Sequence, residues 1–161
     1  MSPTPALRRL LSGALMLSLL LPWSLQAQVF PRGNGIVLGN INQLDLYVDV
    51  SRLLEIPGAD PVEFRLGSQR LLEESLAASG ISRRPSNRLY LVCSVEATEA
   101  GAQLAYATNV ELWERQSTDV HSLLWRKSAI ATIDAEQFRA ELLAATCADQ
   151  FLGEWSRWNE K

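Results

Sequence analysis

The chain has 161 residues, of which 47% are hydrophobic and 20% are charged, and its formal net charge is −3. This length suits one compact domain with a sizeable core. A net negative charge with scattered basic residues argues against nucleic acid or an anionic membrane surface as the partner.

The first 27 residues have the three-part layout of a secretory signal peptide. Arg8 and Arg9 form a basic start, an apolar run follows from 10 to 21, and Ala27 offers a small residue for cleavage. The run is about a dozen residues, shorter than the roughly 20 of a membrane-spanning helix. We therefore predict cleavage after residue 27, with an uncleaved anchor as the alternative. Export by the general secretory route is preferred to the twin-arginine route.

The processed protein is expected to be periplasmic or secreted, with no stable membrane span. Its net charge falls to about −5, because Arg8 and Arg9 leave with the signal. Residues 28–40 are predicted to be a flexible lead-in, and 41–161 a single domain. The Gly33-x-Gly35 pair in the lead-in does not match a dinucleotide-binding fingerprint, because the third glycine comes one place late.

The first strand is predicted over 42–51, where apolar residues alternate with Asp45, Tyr47 and Asp49. The two aspartates share the outward face of this strand, a placement that raises the question of a metal ion. No further oxygen or nitrogen ligands cluster with them, so we interpret them as a solvated surface.

Two helices are predicted, one after this strand and one at the C-terminus. Asp60 with the proline that follows it is a capping signal for the first helix. Residues 62–66 alternate as a strand does, however, so this helix is predicted over 68–79. Asp134 with a glutamine three residues later predicts a capping box at the start of the second helix, over 134–161.

Three alternating segments between the helices predict strands at 88–97, 103–114 and 120–133. The polar connections between them are short, so the strands form an antiparallel meander. The element order is therefore β-α-β-β-β-α. It predicts an α+β two-layer sandwich, with a mostly antiparallel four-stranded sheet and both helices packed on one face.

The two cysteines are predicted to form a disulfide bond. Cys93 lies on the inward face of its strand, and Cys147 lies at the edge of the apolar face of the last helix. Export would carry both to an oxidising compartment. Two buried free thiols, or one reactive thiol, are the alternatives.

Groups suited to catalysis are sparse. His121 is the sole histidine, and it could activate Cys93 as a nucleophile only if the cysteine were not oxidised. Glu111 and Glu114 form a carboxylate pair, but nothing around them suggests the two distinct environments of a glycosidase. The sequence predicts no catalytic residue, no metal site and no cofactor, and a small hydrolase is the least favoured function.

The favoured function is a non-catalytic accessory or interaction module of the cell envelope, with an envelope protein as its partner and no nucleic acid. Tyr47, Tyr90 and Trp113 are the predicted interaction surface, because they lie opposite the buried faces and aromatic residues dominate interface hot spots. The alternative is a protein that binds a small apolar ligand in a groove between the sheet and the last helix. Trp155 and Trp158 would line that groove, although helix core is the commoner role of such a stripe.

Overall fold

The structure is a computed structural model that describes residues 28–32, 35–53, 60–101 and 103–159, with the backbone alone for 28–32. The elements are, in chain order, β1 (Gln28–Arg32), β2 (Gln43–Arg52), α1 (Pro61–Ala78), β3 (Ser82–Arg83), β4 (Leu89–Ala100), β5 (Gln103–Arg115), β6 (His121–Asp134) and α2 (Ala140–Asn159). Single 3-10 turns, Gly35–Leu38 and Ala135–Gln137, precede β2 and α2. The predicted signal peptide lies outside the described residues. Among the helices that are described, none has the length and apolar character of a membrane span.

The strands form one mixed sheet in the order β1-β6-β5-β4-β2-β3. Strands β4, β5 and β6 make the predicted antiparallel meander, and β2 runs parallel to β4. The α+β class and the β-α-β-β-β-α order are confirmed, but the sheet has five principal strands and the two-residue β3 in place of four. The extra strand, β1, lies in the segment predicted as a lead-in. Its proline is compatible with a strand because β1 is at the sheet edge, where a missing N–H costs little.

Both helices differ from prediction at their N-termini. The first begins at Pro61, where Asp60 is the N-cap and its carboxylate accepts from the N–H of Val62 at 2.8 Å. The alternation that suggested a strand here only reflects exposed apolar residues, since Val62 and Leu66 are more than half exposed. The capping box predicted at Asp134 is wrong: this side chain makes no capping bond, and α2 begins six residues later.

The core lies between one face of the sheet and the two helices. Strands β2, β4 and β5 turn alternate apolar side chains towards α1 and α2, which pack against each other. The larger fully buried side chains include Leu46, Leu72, Leu91, Leu112, Trp125, Leu143 and Phe151. Both helices cover the same face, so no described helix covers the other face of the sheet.

The predicted disulfide bond is confirmed. Cys93 of β4 and Cys147 of α2 are bonded, with Cα atoms 6.1 Å apart and a sequence separation of 54. Both residues are completely buried. The bond therefore ties the helix layer to the centre of the sheet, and neither cysteine is a free thiol.

A buried hydrogen bond also joins these layers. The Nε2 of Gln150 donates to the Oγ1 of Thr108 at 2.6 Å, while the Oε1 of Gln150 has no partner. An unpaired buried polar atom is costly, whereas replacing both partners by apolar groups of the same shape is close to neutral. The pair therefore contributes little net stability.

We predict that Thr108→Val alone lowers the free energy of unfolding by about 1–2 kcal/mol, because it leaves both polar atoms of Gln150 unpaired. Combining it with Gln150→Met should restore stability to within about 1 kcal/mol of wild type. Urea denaturation of the two single variants and the double variant measures the coupling. Simple additivity of two losses would contradict this account.

Candidate functional site

An aromatic cluster lies on the face of the sheet opposite the core. Tyr47 of β2, Tyr90 of β4 and Trp113 of β5 each alternate with buried neighbours, so all three point away from the helices. The ring centroids of Tyr47 and Tyr90 are 5.7 Å apart, edge to face, and those of Tyr90 and Trp113 are 6.5 Å apart and nearly parallel. The structure thus brings the three predicted interaction residues into one contiguous cluster.

His121 and Arg115 extend the aromatic cluster. The Nδ1 of His121 is 2.6 Å from the hydroxyl of Tyr90, and its Nε2 is 3.3 Å from the carbonyl oxygen of Thr118. The carbonyl oxygen of Thr118 only accepts, so it pairs with a proton on Nε2; in that neutral tautomer the Tyr90 hydroxyl donates to Nδ1. The guanidinium of Arg115 lies 5.6 Å from the centroid of the Tyr90 ring, within cation–π range.

Sequence reasoning placed neither His121 nor Arg115 on the interaction surface, and it considered His121 only as a group that could activate Cys93. The alternation of side chains along a strand could have identified Arg115, because it is two residues beyond Trp113 and so lies on the same face. The hairpin register places Arg115 opposite His121. Burial, together with Tyr47 and Glu111, raises the pKa of Tyr90 above its ordinary value of 10.0, and the positive charge of Arg115 only partly opposes this. The hydroxyl therefore stays protonated at neutral pH.

Asp45 anchors one side of the aromatic cluster. Its carboxylate accepts from the Tyr47 hydroxyl and from the N–H groups of Leu46 and Ser86, each at 2.8 Å, and from the Nε of Arg83 at 3.4 Å. Burial alone would raise the pKa of Asp45, but these hydrogen bonds outweigh it and hold the pKa below its ordinary value of 3.8. The carboxylate is therefore ionised and holds Tyr47 in place.

The expectation that Asp45 is a solvated surface residue is wrong, since it is 3% exposed. The chain after β3 folds back over it and donates the Ser86 N–H, and Ser86 itself has a left-handed backbone, with φ of 61°. Its oxygens are occupied by these donors. Across the described part of the chain, no group of three or more His, Cys, Asp or Glu side chains is arranged to hold a metal ion.

The other end of the same face carries an apolar depression of about 400 Å³, lined by Thr98, Ala105, Ala107 and Ile130 and bordered by Arg52 and Glu96, which form an ion pair. A row of polar residues, Ser94, Asn109 and Ser128, separates this apolar depression from the aromatic cluster. We call the whole surface the open sheet face. Tyr47, Leu123 and Ile130 are 42–51% exposed on it.

Trp155 and Trp158, the predicted lining of a ligand groove, contact the chain's own residues. The Nε1 of Trp155 donates to the carbonyl oxygen of Ile41 at 3.0 Å. Trp158 is 44% exposed, and a Cβ added at Gly35 would collide with its indole. The segment around the first 3-10 turn therefore packs against this part of α2 and contacts both indoles.

No protein-family model matches this chain, and no curated protein does. Solved structures do. A single-substitution variant of PelC from Paraburkholderia phytofirmans, crystallised as a dodecamer, matches with a TM-score of 0.52 and 15% identity over 84% of this chain and 99% of that one. The PelC dodecamer in another crystal form matches with a TM-score of 0.51 and 14% identity, over 80% of this chain and 96% of that one.

A DUF4136 family protein from Bacteroides thetaiotaomicron matches with a TM-score of 0.47 and 11% identity, over 84% of this chain and 98% of that one. Identities this low show a shared fold alone. The comparisons therefore show that this chain has a fold similar to that of the PelC subunit.

Proposed function

We propose that the protein is an exported, non-catalytic interaction module of the cell envelope that binds a protein partner through the open sheet face. The observation that carries this proposal is the aromatic cluster on a face that no described helix covers. Aromatic side chains that remain outside the core of a small domain are enriched at binding hot spots.

Export is supported by the pattern of residues 1–27 and by the Cys93–Cys147 bond, because disulfides persist in oxidising compartments. The fold neighbour PelC forms a dodecamer. It is an example of this fold engaging other protein chains, which favours an interaction role for the present one.

The side chains that sequence analysis considered for catalysis have structural partners. Cys93 is in the disulfide, His121 is bonded to Tyr90, and Glu111 and Glu114 are each in an ion pair with an arginine. These partners favour a binding role over a hydrolase.

The aromatic cluster is pre-organised for binding. Asp45 accepts from the Tyr47 hydroxyl, the Tyr90 hydroxyl is hydrogen-bonded to His121, and the Glu111 carboxylate accepts from the Trp113 Nε1 at 2.9 Å. Side chains that are already fixed lose little conformational entropy when a partner docks, so more of the contact energy remains as affinity.

We predict that Tyr90→Ala and Trp113→Ala each weaken partner binding about tenfold or more, because a hot-spot truncation costs over about 1.4 kcal/mol. The tagged protein is cross-linked in its native envelope, and the captured partner is quantified by mass spectrometry. Trp158→Ala is the matched control, since it removes an exposed tryptophan from α2, outside the open sheet face. Unchanged capture by both sheet-face variants, with melting temperatures near wild type, would exclude this surface.

A further inference from the structure

We propose that the partner of the open sheet face is a second copy of this chain, docked face to face with the strands of the two copies antiparallel. This inference rests on the proposed function, because it takes the open sheet face to be a protein-binding surface. It adds the identity of the partner and the register of the contact.

The open sheet face has two ends that match under a half-turn. On β5, Trp113 in the aromatic cluster and Ala105 in the apolar depression lie equally far from Asn109, four residues to either side. The neighbouring strand β4 repeats this spacing through its cross-strand pairs. The pairs are Tyr90–Trp113, Ser94–Asn109 and Thr98–Ala105. A two-fold axis along the Ser94–Asn109 row therefore places the aromatic cluster of each copy over the apolar depression of the other.

The shapes of the two ends are complementary. Large rings project at one end, whereas the small side chains of Ala105, Ala107 and Thr98 leave a depression of about 400 Å³ at the other. In an isologous contact every interaction occurs twice. Two aromatic clusters would therefore fill two depressions at once, and both sets of apolar side chains would leave water.

The charges at the two ends are also complementary. Arg115 and His121 are opposite each other beyond the aromatic cluster, and Gln103 and Asp134 are opposite each other beyond the apolar depression. Each of these pairs is six residues from Asn109 along β5. Within the described residues neither Arg115 nor Asp134 has an ion-pair partner. The half-turn brings the Arg115 of one copy towards the Asp134 of the other.

The central row of the open sheet face can contact the same row of a second copy. Ser94, Asn109 and Ser128 lie on the axis row, and each side chain carries both a donor and an acceptor. Asp49 lies at the β2 end of this row, so the half-turn brings its negative charge near that of Asp49 in the second copy. Aligned sheets cross at about 30°, which moves positions at the edge of the row apart, and the Asp49 carboxylate already accepts from the Ser51 N–H.

The opposite, parallel arrangement is less favourable, because it would place aromatic cluster on aromatic cluster and Arg115 near Arg115. The area of the open sheet face is large enough for a specific interface in the antiparallel arrangement. Four strands at about 4.8 Å spacing and eight residues at about 3.4 Å rise span roughly 500 Å² per copy. Two copies thus bury on the order of 1,000 Å², where specific interfaces begin.

Sedimentation velocity of the processed protein, isolated from the exporting cells over a range of concentrations, tests the inference. We expect a concentration-dependent dimer whose dissociation constant rises at least tenfold in Ala105→Arg, which fills the apolar depression with a charge. The control, Ala145→Arg, adds the same charge at an exposed position of α2 and should leave the dimer unchanged. Arg115→Glu should weaken the dimer, and adding Asp134→Arg in the same chain should restore it.

The register is tested with a short thiol-reactive cross-linker. Asn109→Cys should link to the same residue of the second copy, whereas Ala145→Cys should not. A monomer at all concentrations, or an oligomer indifferent to Ala105→Arg, overturns the inference. If the monomer still captures another envelope protein in a Trp113-dependent way, the proposed function stands without a second copy. If capture is also independent of Trp113, both are wrong.

Discussion

Replacing both cysteines, as Cys93→Ala with Cys147→Ala, is expected to lower the free energy of unfolding by about 4 kcal/mol. The bond closes a loop with a sequence separation of 54, and the chain-entropy model gives that value for a loop of this length. Typical domains have about 5–15 kcal/mol in total. The variant should therefore keep only a marginal native state.

Urea denaturation of wild-type protein and the double variant measures this loss. Wild-type protein under a reducing agent is the second arm, and it should lose a similar amount without any change of sequence. The free energy of unfolding should also fall more steeply with urea concentration in the double variant and in the reduced protein, because an unfolded chain without the crosslink exposes more surface. A loss under about 1 kcal/mol in both arms would show that the bond does not constrain the unfolded chain.

Asp45→Asn is expected to lower the free energy of unfolding by about 2–3 kcal/mol at neutral pH, since hydrogen bonds to a charged acceptor are the strong ones and this group is buried. Asparagine keeps the size but offers one acceptor oxygen to the donors of Tyr47, Leu46, Ser86 and Arg83. The Tyr47 ring would lose its anchor, so partner binding should weaken as well.

The effect of Asp45→Asn should depend on pH in a specific direction. The native pKa of Asp45 is below its ordinary value of 3.8, so near that pH the unfolded state binds more protons than the native state does. The stabilisation is therefore complete above the ordinary pKa and is lost as the pH falls through the native pKa. The difference between wild type and Asp45→Asn should shrink over this acidic range. Denaturation curves at several pH values test this, and a difference that grows with acidity would contradict it.

Local patterns predicted the sheet meander from the alternation within each strand and the short connections between strands. They predicted the disulfide from the inward face of one strand, the apolar face of the last helix and the export signal. Leu91, Cys93 and Val95 face the core for the same reason that Tyr90 faces away from it. Predicting the contacts within the aromatic cluster would also have required the order of the strands in the sheet. Tyr47 meets Tyr90 only because α1 crosses over and returns β4 parallel to β2, and no residue pattern specifies that neighbour.

The features that sequence analysis missed depend on partners far away in the chain. The edge strand β1 pairs with β6, about a hundred residues later. Asp45 is buried by the backbone at Ser86, and Trp155 is bonded to Ile41. The capping signal at Asp134 failed because β6 continues to that residue and the chain needs a 3-10 turn before α2 can begin.

Site-specific photo-cross-linking in the native envelope tests most directly whether the open sheet face binds protein. A photoreactive amino acid replaces Val92, which lies between Tyr47 and Glu111 in the sheet, and, as the control, Glu74, which is exposed on α1. We predict an adduct of one defined mass from position 92, whether with a second copy or with another protein, and none from position 74. Adducts from position 74 alone, or from neither position, would contradict the account.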